Sequence, residues 1–154
     1  MRNILKHICD YRTLRARRDL MRQTLPPEDV HRLEALELLF ACDPSGEVRS
    51  QALARDRRRY LRLEVNIAAR IGAGIRTADT TIINIGGGGL VISPAPALRR
   101  GELAVVRITD PQTSREYHLP VQAVWKSVLG GETVLGLTFV GMPSWSDAPP
   151  AGNA

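Results

Sequence analysis

Residues 57–71 read Arg-Arg-Arg-Tyr-Leu-Arg-Leu-Glu-Val-Asn-Ile-Ala-Ala-Arg-Ile, and the period of the chain changes inside this stretch. From Leu63 onward, Leu63, Val65, Ile67, Ala69 and Ile71 alternate with Glu64, Asn66, Ala68 and Arg70. A period of two is the pattern of a strand with one face buried. Similar short runs follow at 80–85, 90–93, 103–109, 117–126 and 133–140. The connections carry turn residues: four glycines at 86–89, Pro94-Ala95-Pro96, Asp110-Pro111-Gln112 and Gly130-Gly131. Six short strands with no helix between them predict a mainly β fold, a small antiparallel barrel, closed or nearly so.

Upstream of Arg57 the period is helical. Ile4, Ile8, Tyr11, Leu14 and Met21 recur with arginines between them, until Pro26-Pro27 stops one helix and opens another. Glu28 and Asp29 then stand where a helix N-terminus favours negative charge. Val30, Leu33, Leu36, Leu39 and Phe40 carry an apolar stripe to the break at Asp43-Pro44-Ser45-Gly46. The hairpin is too small to fold alone and needs a surface to pack on. The expected organisation is a helical N-terminal extension over 1–46, a linker over 47–56, a barrel over 57–142 and a disordered tail over 143–154. Trp145 is the tail residue able to dock back on the barrel.

The charge is uneven. Residues 1–62 hold 14 Lys and Arg against 9 Asp and Glu, whereas residues 63–154 hold 7 against 7. The net +5 of the 154-residue chain therefore belongs to its front, and 13 of those 14 cations are arginine. Arginine presents a flat, permanently charged fork suited to phosphate and to guanine edges. The uncharged run 80–98 holds four glycines and two prolines and would not cross a bilayer as a helix. The first ten residues lack the apolar run of a secretory signal. Cys9 and Cys42 stand far apart, outside any disulfide or zinc spacing, so a reduced, cytoplasmic setting is expected. Neither the three histidines nor any Ser/His/Asp grouping has the spacing of a metal or catalytic site, so no metal, cofactor or enzymatic activity is expected. Trp125 and Phe139 read as core.

Two stretches carry candidate chemistry. Arg58-Arg59-Tyr60-Leu61-Arg62 places two arginines four apart, so that a short segment can converge both on one anion, with Tyr60 beside them for stacking. Asn84-Ile85-Gly86-Gly87-Gly88-Gly89 lies between two strand runs. Its glycines allow positive φ and close approach of backbone to a ligand. A Walker loop is excluded because Gly-Lys-Ser/Thr is absent, and a dinucleotide fold because Leu90-Val91-Ile92 continues as strand.

Together the two stretches resemble the motif pair of the PilZ domain: RxxxR before the first strand, then Asn/Asp-x-Ser-x-x-Gly. The resemblance runs from about Arg57 to Gly141 and includes Val124-Trp125 and Leu135-Gly136-Leu137-Thr138-Phe139. One position departs: the motif serine is Gly86 here, which removes a hydroxyl donor. The resemblance implies a receptor for cyclic di-GMP, a ring with two guanines and two phosphates, that passes binding on to a protein partner. By that resemblance Arg58 and Arg62 hold the nucleotide, with Arg57 an auxiliary cation. Asn84 hydrogen-bonds a guanine, Gly86 lies within the site, and Gly89 holds the turn. The expected mechanism is that the dianion neutralises the arginine cluster, clamps it over the barrel mouth and repositions the helices. Those helices are also the candidate face for a homodimer. Two rivals stand beside this reading: a PilZ interaction module that has lost the nucleotide, and a nucleic-acid or membrane-surface binder using Arg12, Arg15, Arg17, Arg18 and Arg22.

Overall fold

A computed structural model describes residues 4–41, 62–110 and 113–147. It contains helices α1 (Ile4–Asp19) and α2 (Pro27–Ala41). Seven strands follow: β1 (Arg62–Ala73), β2 (Arg76–Gly86), β3 (Gly89–Ser93), β4 (Leu103–Asp110), β5 (Arg115–Leu129), β6 (Glu132–Phe139) and β7 (Ser144–Asp147). The strand order is β4-β1-β2-β3-β6-β5-β7, every pair is antiparallel, and β4 also pairs with β5. That last pairing closes strands β1 to β6 into the six-stranded barrel the alternation predicts.

Closure removes the open edges of the sheet and gives alternate residues a common interior. Ile71, Ile82, Val106, Leu119, Val121 and Leu135 are each at most 2% exposed and fill it. Gly130 and Gly131 both take positive φ, 59° and 84°, in the two-residue turn between Leu129 and Glu132. This is the primed geometry that follows the right-handed strand twist.

The helical hairpin has the partner surface it needs. Ile8, Tyr11 and Leu14 of α1, Leu25, and Leu33, Leu36 and Phe40 of α2 belong to one apolar core with the barrel interior. Burying each large apolar side chain contributes about 1.5–3 kcal/mol. The Tyr11 and Phe40 rings meet at 5.2 Å. Val30 and Leu39, in the stripe read from sequence, are instead 39% and 47% exposed.

Several helical arginines, while partly exposed, make ion pairs within the hairpin. Arg17 pairs with Asp29 at 3.1 Å, Arg18 with Glu37 at 3.6 Å and Arg32 with Asp10 at 2.9 Å, all three linking α1 to α2. Arg15 donates to the Tyr11 hydroxyl. The chain leaves α1 through Arg22, at φ 53°, with the Gln23 amide on the Arg17 carbonyl. This left-handed exit satisfies carbonyls of the last turn.

Two expectations are corrected. Residues 144–147, assigned to a disordered tail, form β7 against β5, from Arg115↔Asp147 to His118↔Ser144. The Arg115 guanidinium lies 4.0 Å from the centroid of the Trp145 ring, a cation–π contact that anchors the strand. Residues 148–154 and the expected linker 47–56 lie outside the described residues. Trp125, read as core, is 40% exposed. The register of β5 slips between Ala123 and Trp125, turning the indole outward. There it covers Gly136, where any Cβ would collide with the ring.

Candidate functional site

β1 and β2 are joined by a tight turn at one end, so their other ends meet as well. The register there pairs Arg62 with Gly86, Leu63 with Ile85 and Glu64 with Asn84. The second arginine of RxxxR therefore stands, in the backbone, directly opposite the glycine that replaces the motif serine. Sequence spacing alone does not bring these stretches together; antiparallel pairing does. The Arg62 side chain, and all of Arg57 and Arg58, lie outside the described residues.

The local strand geometry is irregular in a way that matters for Asn84. On β1, Val65 and Asn66 together oppose Ile83, while on β2 Ile83 has no partner on β3, because Ile82 pairs with Ile92 and Asn84 with Val91. An extra residue reverses the alternation beyond it. Ile82 and Ile85, three apart, are accordingly both fully buried, and Asn84 is half-buried beside them. Its Oδ1 is closed to solvent and meets no hydrogen-bond donor among the described residues. A buried carbonyl oxygen in that condition costs about 1–3 kcal/mol, the penalty that a donor from a ligand would relieve.

The glycine turn is fastened on its other side by β6. The Gly88 carbonyl accepts from the Phe139 amide at 3.0 Å and from the Thr138 hydroxyl at 3.1 Å. Gly89 pairs with Thr138, and a Cβ at Gly89 would collide with the Leu137 carbonyl oxygen. Close packing, rather than positive φ, explains the glycine: the left-handed glycines are Gly74, Gly101, Gly130, Gly131 and Gly141. Helix α1 reaches the same place. Arg12 Nη2 donates to the Phe139 carbonyl at 3.3 Å, and its guanidinium lies 5.8 Å from the centroid of the Phe139 ring.

The structure thus brings together Arg62 (by backbone), Asn84, Gly86 and Gly89 at one end of the barrel. Thr138 and Arg12 are additions that sequence reasoning missed. Thr138 is one polar residue in an alternating strand, and Arg12 one arginine among many, so neither carries a sequence signal. Elsewhere the titratable groups serve packing. Burial, with Asp10 adding to it, pushes the Cys9 thiol up to about 11, so it stays protonated and unreactive. Burial and the Arg32 charge hold His7 below its ordinary value. Among the described residues no cluster of His, Cys, Asp and Glu could hold a metal ion, and no helix is long and apolar enough to cross a membrane.

The chain shows partial similarity to several solved structures, three of which are the following. The inhibitor of motility of Bacillus subtilis (MotI/DgrA) is 16% identical, with 55% of this chain matching 43% of that one at a TM-score of 0.48. The PilZ domain of YcgR from Escherichia coli, solved with c-di-GMP, is 20% identical over 55% of this chain and 78% of that one, at 0.43. The PlzA protein of Borreliella burgdorferi, solved in complex with c-di-GMP, is 13% identical over 75% and 43%, at 0.42. No curated protein matches the chain. The sequence model of the PilZ domain matches residues 56–146, well over half of the chain and all six strands of the barrel. The chain belongs to the PilZ domain family.

Proposed function

We propose that this protein is a cyclic di-GMP receptor and adaptor of the cytoplasm, not an enzyme, and that it passes ligand binding to a protein partner through its N-terminal helices. The observation that carries the reading is Asn84: a buried amide oxygen with no hydrogen-bond donor among the described residues, at the motif position, next to the paired Arg62 and Gly86. Guanine carries N–H donors suited to that oxygen. Its O6 and N7 acceptors suit arginine, as do the two phosphates. Arg58 and Arg62 are assigned to these contacts, with Arg57 adding charge.

Helix α1 is the proposed transmitter. Its Arg12 sits on the carbonyl of the residue whose amide holds Gly88, so a shift of the glycine turn reaches the helix through Phe139. On the far side of α1, a cleft of about 560 Å³ between the hairpin and Pro143–Trp145 leaves room for movement. Leu20, Met21 and Leu38, exposed by 54–67%, are the apolar side chains the hairpin offers to a partner or to a second copy. The ligand acts as a switch to the extent that it binds one helix position better than the other.

A second reading rests on Gly86. Without the motif hydroxyl, the barrel would be an interaction module that no longer binds nucleotide. Isothermal titration calorimetry with cyclic di-GMP separates the two. A receptor gives saturable heat that is weakened about ten- to a hundredfold by Arg58→Ala or Arg62→Ala, each removing charge-assisted bonds of about 1.5–3 kcal/mol. An interaction module gives none.

A further inference from the structure

The barrel has a second concave surface at the end opposite Asn84 and Gly86. There β1 and β2 turn through Gly74, at φ 64°, and Ile75, which is fully exposed. Behind the tip lies a pocket of about 210 Å³, walled by Ile71, Ala73 and Ala78 of the hairpin and by Pro96, Ala97 and Leu98 of the β3–β4 connection. One exposed isoleucine needs no explanation, but this one stands in the turn between Ala73 and Arg76, both of which wall the hollow.

The rim of that hollow is cationic. Arg76, also in its wall, donates to the Ala97 carbonyl at 3.1 Å and to Glu102 at 2.7 Å. Arg99 and Arg100 follow Leu98 and are exposed. Lys126 Nζ rests on the Pro96 carbonyl at 3.4 Å. Among the described residues, Glu102 is engaged by Arg76 and Glu132 by the Ser93 hydroxyl.

We propose that this end of the barrel docks an acidic polypeptide segment, which inserts one aliphatic side chain into the pocket while its carboxylates meet Arg99, Arg100 and Lys126. Charge complementarity selects the occupant: a second copy would bring the same positive rim against itself. Shape argues against a membrane surface, since a bilayer has no projecting side chain to fill a hollow. An anchor residue in a pocket with a charged rim is the usual division between affinity and steering. The surface lies some 30 Å along the strands from the nucleotide motifs and does not depend on nucleotide binding.

Methyl NMR of the full chain tests this, with the probe peptides acetyl-Asp-Glu-Leu-Glu-Asp-amide and the same peptide with alanine at its centre, titrated into the millimolar range. The leucine peptide should shift the Leu98 and Ile71 methyls saturably. The alanine peptide should bind at least fivefold more weakly, as should the leucine peptide to an Arg99→Glu/Arg100→Glu variant of unchanged Tm. Absence of saturable shifts overturns the proposal. So does equal binding of acetyl-Lys-Lys-Leu-Lys-Lys-amide. A dimer in light scattering that Ile75→Asp dissolves would assign the surface to a second copy. Sedimentation with phosphatidylglycerol vesicles, lost in Ile75→Asp, would assign it to a membrane, and either result overturns the acidic segment.

Discussion

At the turn end of β1 and β2 each residue meets its partner in step, from Ala68↔Thr81 to Ala73↔Arg76. At the other end the register slips opposite Ile83 on both of its neighbours, and Asn84 has a buried oxygen with no donor among the described residues. The same two strands are therefore regular where they build a shape and irregular where they present a functional group. Bulges next to binding sites re-aim side chains that strict alternation would place elsewhere. The regular end walls an apolar pocket; the irregular end holds a buried acceptor that meets no donor among the described residues. The contrast is between a hollow built by strict alternation and a polar side chain placed by its interruption.

The contrast is broken most severely at Gly89. Gly89→Val forces a side chain into the Leu137 carbonyl and disrupts the β3–β6 pairing that fastens the glycine turn. A loss of about 3 kcal/mol is expected, read as a fall in Tm of roughly 10 °C. Asn84→Ala acts in the opposite sense on stability. Removing an unpaired acceptor should leave Tm unchanged or slightly raised, while cyclic di-GMP affinity falls about tenfold, or about 1.4 kcal/mol. A fall in Tm with unchanged affinity would make Asn84 structural. Gly86→Ser returns the hydroxyl of the family motif and should tighten nucleotide binding a few-fold in calorimetry. If tightening is absent, the side chain at that position is not part of the site.

The smallest effect lies outside both ends, in the helical hairpin. His7 titrates below its ordinary 6.5 because burial and Arg32 disfavour the imidazolium. The unfolded chain then binds the proton more readily, so stability falls as pH drops below about 6.5, and the group contributes nothing above it. Between pH 7 and pH 5 the wild type should lose more Tm than His7→Gln.

Most of this architecture is legible in the residues. Alternation from Leu63 onward locates the six barrel strands to within four residues of their ends, and the glycine pair 130–131 marks its hairpin. What escapes is whatever depends on a neighbour. Trp125 reads as core because alternation puts it there, yet a slip of β5 against β6 turns it onto Gly136. Ser-Trp-Ser-Asp is too short and polar to announce β7, and only the odd aromatic, Trp145, signals docking. Arg17 and Arg18 stand in a basic run, and their pairing with Asp29 and Glu37 across the hairpin depends on where α2 lies. The motif pair was legible at Asn84, Gly86 and Gly89. Its meeting with Arg62, and the support from Thr138 and Arg12, required the register.

The most direct test is calorimetric titration of cyclic di-GMP into the purified full chain, with Arg58→Ala/Arg62→Ala as its control. A receptor predicts saturable heat for the wild type and a loss of affinity of a hundredfold or more for the double variant, at equal Tm. Absence of heat from a folded wild type, or undiminished binding by the double variant, would contradict it.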